Sequence, residues 1–305
     1  MMRRVREYFE SSNALEVETP ALSHAAASDT QIESFGIATS RISARPLYLH
    51  TSPEFCMKRL LAAGYPDIYS ICRVFRDGEA GRRHQPEFTM IEWYRLGMSL
   101  NEIIGDTLQL IVAALGDQAP SPAPVFLDYV EAVNRVCGTD IHAADAGALA
   151  DAAGADNDLR AALGHEKNDW LDLLLATRVI PTFAPDRLTV LQHYPASQGA
   201  LARLCPDDPS VADRFEVFLG PVELANGYVE LTDATEQATR IAHDNEARNR
   251  RSREIRPIDK ALLSALEQGL PDCAGVAVGL ERLQMLHDKT DDIRDVITFA
   301  YDRDA

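Results

Sequence analysis

Two runs of this sequence carry residue types suited to gripping a triphosphate. The first is Phe75-Arg76-Asp77-Gly78-Glu79, continued by Arg82-Arg83-His84-Gln85-Pro86-Glu87-Phe88 and the segment to Tyr94, and the second is Gly275 to Arg282. Arginine presents a planar fork whose parallel N–H groups match two phosphate oxygens. Side chains alternate across a strand, so Phe88, Met90, Glu92 and Tyr94 share one face of the segment after the cationic loop. An aromatic plate, a carboxylate and a phenol on one face suit a nucleotide base beside a small polar substrate. A core strand with one Tyr and one paired Glu has the same pattern, so this face alone leaves both readings open. In the second run Ala277 and Gly279 fall on one face of a short strand and leave room for a ligand or a neighbouring backbone. Arg282 then projects from the first turn of the next helix. A tightly packed strand-to-helix turn is the competing reading of that spacing.

The flanking sequence predicts the scaffold. Ile68 to Phe75 and Glu87 to Arg95 are rich in β-branched, aromatic and apolar residues, with Gly78, Gly81 and Pro86 between them, which predicts a hairpin. Ser52 before Pro53 predicts a helix start with Ser52 as N-cap, continued from Glu54 to Ala63. Arg3 to Ala14 predicts an amphipathic helix feeding a strand that ends at Pro20. Apolar residues recur at helical spacing from Leu100 to Leu115 and from Asp158 to Thr177. Gly116 to Gly154 is rich in Ala, Pro, Asp and Gly, yet Phe126 to Val133 keeps core-forming residues. We therefore predict a helical insertion at about 116–180. Glu216 to Leu219, Glu223 to Leu231 and Ala274 to Gly279 supply further strands, alternating with helices from Ala234 and Asp259. The sum is an α+β fold with a mixed, mainly antiparallel sheet flanked by helices.

The two runs resemble motifs 2 and 3 of class II aminoacyl-tRNA synthetases, and Leu15 to Pro20 resembles motif 1. The three occur in the family's order and span nearly the whole chain. Thr51 to Glu54, His84 to Met90, and Glu223-Leu224-Ala225-Asn226-Gly227 through Asp233 are similar to the lysyl branch. Within that branch the chain resembles the stand-alone paralogues that join (R)-β-lysine to a lysine of translation elongation factor P, through His193 to Gln198 and Gly269 to Cys273. Its 305 residues are expected to form a single class II synthetase-like catalytic domain over 1–305, with no anticodon-binding β-barrel.

The resemblance implies ATP and Mg2+. It sets Arg76 against the α-phosphate, Arg282 against the γ-phosphate and Phe88 on adenine, with Asp77, Gly78, Glu79, His84, Gln85, Leu224 and Gly279 completing the nucleotide contacts. Glu223 and Glu230 are the implied magnesium ligands. Ser52, Pro53, Glu54, Tyr94, Asn226, Glu230 and Ala277 are the implied pocket for (R)-β-lysine or lysine. Motif 1 implies a homodimer, and elongation factor P is the implied protein substrate, without tRNA. A minimal tRNA-charging or amide-forming enzyme and a catalytically silent regulatory paralogue are the alternatives. Two positions depart from the family pattern: Gly78 stands where motif 2 has Glu, with Glu79 one place later, and Gln85 replaces the branch's Asn. Ala277 stands where lysyl-tRNA synthetases have Gly, and its methyl is expected to crowd the α-amino group of α-lysine. Glu223 and Glu230 are seven apart, so a regular strand sends them to opposite faces. A bulge near Gly227 is expected to bring both to the ligand side.

Composition narrows the partners. The formal charge of −17 argues against a polyanion such as tRNA. Five scattered cysteines fit reduced thiols, and none reads as a nucleophile. No apolar stretch approaches about 20 residues, so a soluble, cytoplasmic protein with no membrane partner is expected. Eight dispersed histidines lack His-x-x-x-His spacing, so no zinc is expected. The dense cationic run Arg248, Arg250, Arg251, Arg253, Arg256 reads either as a dock for an acidic protein or as a solvated helix end.

Overall fold

The computed structural model describes residues 1–38 and 40–301. The chain divides into two compact units, one made of Met1–Ala119 and Val229–Ala305, the other of Pro120–Tyr228. The first unit opens with α1 (Met2–Ser11), β1 (Leu15–Glu16), β2 (Leu22–Ser23), β3 (Gly36–Ile37), β4 (Leu47–Leu49), α2 (Glu54–Ala62), β5 (Ile68–Phe75), β6 (Glu87–Leu96) and α3 (Leu100–Leu115). The second unit holds β7 (Val125–Asp128), α4 (Tyr129–Cys137), α5 (Ala146–Ala153), α6 (Asn157–Leu163), α7 (Lys167–Leu174), β8 (Leu188–Pro195), β9 (Val211–Leu219) and β10 (Val222–Val229). The chain returns to the first unit with α8 (Ala234–Arg250), α9 (Lys260–Gly269), β11 (Cys273–Gly279) and α10 (Leu280–Asp288). The α+β class, with mainly antiparallel pairing flanked by helices, is as the sequence predicts.

In the first unit four strands follow the order β1-β5-β6-β11, with β1 parallel to β5 and the other pairs antiparallel. The hairpin β5–β6 matches its prediction, with β6 one residue longer. Its two faces separate cleanly. Trp93 and Arg95 point toward α1 and α3, where Trp93 Nε1 donates to Asp106 Oδ2 at 2.8 Å and Arg95 Nε donates to the same oxygen at 2.9 Å. Phe9 of α1 stacks on Tyr69 with ring centroids 4.2 Å apart. Each such buried aromatic contributes roughly 1.5–3 kcal/mol, and together they fix the sheet so that Phe88, Met90, Glu92 and Tyr94 face the other way. On that side Met57, Leu61, Ile68, Tyr94, Leu262 and Leu266 pack α2 and α9 into one core.

At the start of α2 the structure corrects one expectation. Pro53, not Ser52, takes the N-cap position, and it has no side-chain donor or acceptor to cap with. Ser52 lies one residue further out, and its Oγ accepts from Glu54 N at 3.0 Å.

In the second unit the order is β10-β9-β8-β7, with only β7 and β8 parallel. Trp170, Leu171 and Leu174 of α7 pack with Tyr129, Val133, Leu191 and Phe218. The predicted helix from Asp158 to Thr177 is two helices, because Gly164 at φ +65° ends α6. The expected bulge in β10 is present but at Leu224 rather than Gly227: Glu223 pairs with Phe218 and Ala225 with Val217. Leu224 and Ala225, at 2% and 1% exposure, are both buried where the extra residue is accommodated. Glu223 consequently shares the half-buried face of Asn226 and Tyr228. No helix among the described residues is long and apolar enough to cross a membrane.

Candidate active site

The first unit assembles two groups of charged side chains on the Phe88 face of β6. At the mouth of the hairpin, the Arg76 guanidinium carbon lies 5.2 Å from the Phe88 ring centroid, and its Nη1 is 3.6 Å from Glu79 Oε1. Glu79 therefore reaches back past Gly78, which sits at φ +80°, where a Cβ is strained. Arg76 Nε is buried and has no hydrogen-bond partner among the described residues. A buried donor left so costs about 1–3 kcal/mol, and an anionic oxygen is the group that relieves it. Arg282, in the first turn of α10, donates from Nη2 to His84 Nε2 at 2.8 Å. Beside it both Glu281 oxygens accept from Thr89 N at 2.9 Å, fastening the start of α10 to β6.

The loop itself is held by backbone. Arg76 N donates to Pro86 O at 2.9 Å and Asp77 N to Glu33 O at 2.8 Å, while the side chain of Asp77 is exposed. Gln85 is buried, and its Oε1 accepts from Tyr301 N at 2.9 Å, which commits that oxygen to the C-terminal segment. Gly279 is the N-cap residue of α10, and a Cβ there would only touch the Arg282 side chain at 4.0 Å.

Further along the same face is an acidic cluster. Glu92 lies opposite Ser70 and Ala277, and Tyr94 opposite Ile68 and Gly275. Ser52 Oγ donates to Glu92 Oε2 at 2.6 Å and Tyr94 OH to Glu92 Oε1 at 2.8 Å. Lys58, its side chain 1% exposed, spans Glu54 at 2.6 Å and Glu230 at 2.5 Å. Burial, then the charge of Glu54, push the Glu92 pKa up to about 8, against the Ser52 and Tyr94 hydrogen bonds. Burial raises Glu230 as well, with Lys58 opposing it. Burial alone lowers the pKa of an ammonium, yet the charges of Glu230 and Glu54 leave Lys58 above its ordinary value. Gly275 makes the arrangement possible: a Cβ there would lie 2.4 Å from Tyr94 Cε1 and 2.5 Å from Glu230 Oε1. Two carboxylates thus hold one ammonium out of water, and the raised Glu92 beside them is an acid that an incoming cation would favour in its ionised form.

Sequence reasoning named Ser52, Pro53, Glu54, Tyr94, Glu230 and Ala277 for this cluster and put Glu92 on the ligand face without giving it a partner, but missed Lys58 and Gly275. Lys58 stands four residues after Glu54 on one helix face, a spacing that signals the pair.

Glu223, Leu224 and Asn226 lie on β10 of the second unit. Leu224 is buried in the bulge. Asn226 Oδ1 accepts from Arg214 Nε at 3.3 Å, and Arg214 also pairs with Glu216 at 2.7 Å and lies 4.4 Å from the Tyr194 ring centroid. Burial, then the charge of Glu223, raise the Glu216 pKa to about 7, against Arg214. His193, at φ +55°, accompanies a bulge in β8, and its Nδ1 is 2.5 Å from Asp128 Oδ1. His193, Cys205 and Asp213 also bring ligand-type atoms within 4.8 Å of one another, although Asp213 is held by Arg203 at 2.9 Å. No spacing rule reveals that proximity, because the three come from separate parts of the unit.

The family model for tRNA synthetases of class II (D, K and N) matches residues 1–303. The chain is 43% identical to the elongation factor P--(R)-beta-lysine ligase of Pseudoalteromonas translucida (strain TAC 125), over 99% of this chain and 94% of the relative. It is 43% identical to the protein so named from Sodalis glossinidius (strain morsitans), over 98% and 92%. The ligase of that name from Klebsiella pneumoniae (strain 342) is 42% identical over 99% and 93%.

Proposed function

This chain belongs to the family of class II tRNA synthetases (D, K and N), and on that premise we propose that it is an ATP-dependent, AMP-forming ligase. It activates (R)-β-lysine or lysine as an aminoacyl-adenylate and transfers it to a lysine side chain of translation elongation factor P. The observation that carries this reading is the buried cluster of Glu54, Lys58, Glu92 and Glu230 beside Tyr94, on the same strand face as Arg76 and Phe88. The relatives' printed names supply the acceptor.

The substrate carboxylate attacks the α-phosphorus of ATP, a P–O bond forms, and pyrophosphate leaves. Charge grows on the α-phosphate oxygens in that step, and the buried, unsatisfied Nε of Arg76 is a preorganised donor for it. Arg282, with His84, takes the γ-phosphate. The carboxylate is already a nucleophile, so positioning is the main task. In the second step the amine of the target lysine attacks the acyl carbon, AMP departs, and one proton is lost. That amine must be neutral, although its ordinary pKa is about 10.4.

Magnesium would screen the phosphates and favour departure of pyrophosphate. The sequence pairs Glu223 with Glu230 as its ligands. The ion pair of Glu230 with Lys58 favours an ammonium role for Glu230. A single catalytic domain is supported by one family match across both units. Homodimerisation through motif 1 is supported by Leu15 and Leu22, 46% and 43% exposed. The charge of −17 supports a protein rather than tRNA acceptor.

Incubation with ATP and labelled (R)-β-lysine tests the acceptor. Label on elongation factor P but not on tRNA is expected, and label on tRNA alone would overturn the reading.

A further inference from the structure

Two members of the arginine run at the end of α8 are turned inward, while Arg250 and Arg253 stay exposed. Arg248 and Arg256 are only 1% and 6% exposed and share the Glu33 carboxylate, while Arg256 also pairs with Glu254 at 2.8 Å. Arg248 Nη2 lies 2.9 and 2.7 Å from the two oxygens of Glu33, and Arg256 Nη2 lies 2.6 Å from Glu33 Oε2. Arg253 Nη1 is 3.5 Å from Glu33 Oε1. Burial pushes the Glu33 carboxyl up, but its hydrogen bonds to Arg248 and Arg256 outweigh that and leave it below the usual range.

Glu33 sits between β2 and β3 in a stretch without regular hydrogen bonding. Side chains hold this stretch instead. Ser28 Oγ donates to Asp244 Oδ2 at 2.7 Å, Arg248 Nη1 donates to Asp29 O at 3.0 Å, and Arg253 donates to Thr30 O. The backbone carbonyl of Glu33 accepts from Asp77 N, the residue directly after Arg76. Of the backbone bonds at the loop entry, Phe75 N to His50 O and Arg76 N to Pro86 O come from strand ends. The bond at Asp77 is the one that depends on a segment held mainly by side-chain contacts, with Leu49 N to Phe35 O as a nearby backbone anchor.

We propose that Glu33 is a positioning residue for the nucleotide site: Arg248 of α8 and Arg256 of the loop after it grip its carboxylate, and its carbonyl sets the backbone at Asp77 and with it the aim of Arg76. The inference rests on the proposed role of Arg76 toward ATP, but the hydrogen bond it turns on is measurable whatever the enzyme acts on. An ionic clamp at one end of α8 thereby tunes phosphate binding without touching the ligand. The acidic cluster around Lys58 receives no bond from Glu33 among the described residues, so its behaviour should be independent.

The test uses the full chain with Glu33→Gln, which keeps the side-chain shape and removes the charge. Arg256→Lys serves as a second, milder variant. Amide hydrogen exchange by mass spectrometry reads the segment containing Asp77, and calorimetry reads the affinities for ATP and for (R)-β-lysine separately. In folded Glu33→Gln we expect exchange at Asp77 to accelerate and ATP affinity to fall, each by about tenfold, the size of one hydrogen bond's net worth. The affinity for (R)-β-lysine should stay within about twofold, and Arg256→Lys should show a smaller change of the same kind. Unchanged protection at Asp77 would overturn the inference. So would an equal loss of ATP and amino-acid affinity, which marks general loosening. Wild-type protein that binds no ATP, yet shows Asp77 deprotected in Glu33→Gln, would sink the functional reading and leave the clamp standing.

Discussion

The acidic cluster around Lys58 and the cationic loop after β5 share one strand face but are built in opposite ways. In the cluster the charges are dry: the side chains of Lys58 and Glu230 are 1% and 0% exposed. At the tip of the loop they are wet, as in the pair Arg82–Asp291 at 66% and 75%, and only at its entry does Arg76 turn inward, at 23%. Recognising a small cation by charge requires removing water, because only then does one carboxylate discriminate strongly. Gripping and releasing a triphosphate requires screened cations on a movable backbone, because pyrophosphate must leave. The same chemistry of Arg, Lys and Glu thus serves selection in one region and turnover in the other.

The contrast can be broken most severely at Lys58. Lys58→Met leaves Glu54 and Glu230 without their buried partner and should cost about 3–5 kcal/mol of stability in urea unfolding. Arg82→Met should cost at most about 1 kcal/mol. Equal effects would erase the distinction. Arg76→Ala should leave unfolding almost unchanged while slowing adenylate formation about 100- to 1000-fold, read by pyrophosphate exchange at saturating amino acid.

Ala277 faces Glu92 directly across the strand pair, so its methyl borders the cluster. Ala277→Gly should move selectivity toward α-lysine by about 1–3 kcal/mol, and identical relative kcat/KM for the two isomers would remove the residue from the account. The pH dependence sharpens the comparison further. Glu92, raised to about 8, is protonated and uncharged below that value, and because the unfolded chain loses this proton in the ordinary carboxylate range, stability falls as pH rises from there toward 8. An ammonium ligand reverses that cost. The KM for the diamino acid should therefore fall as pH rises toward about 8, by up to about tenfold per unit, while the KM for ATP shows no such limb. Glu79→Ala, at a partly exposed pair, should alter activity only a few-fold.

The sequence made some of this visible and concealed the rest for physical reasons. The hairpin and α3 were legible because local periodicity and turn residues decide them, and α3 matches its predicted bounds. Strand β8 went unread because a mostly apolar run without alternation carries no strand period. The β10 bulge was required by the spacing of Glu223 and Glu230, but its place depended on which neighbours cover Leu224 and Ala225. Arg76, Glu54 and Tyr94 could be named from motif residues. Gly275 could not, because the need for glycine there comes from Tyr94 and Glu230, both distant in sequence. The burial of Arg248 and Arg256 was hidden for the same reason, since their partner Glu33 lies far along the chain.

Pyrophosphate exchange with (R)-β-lysine, lysine and norleucine tests the central claim most directly, because norleucine keeps the carbon chain of lysine and lacks its side-chain ammonium. Exchange with the two diamino acids and none with norleucine is the predicted result. Exchange with none of the three, or with norleucine as readily as with lysine, would contradict a charge-selective adenylating site.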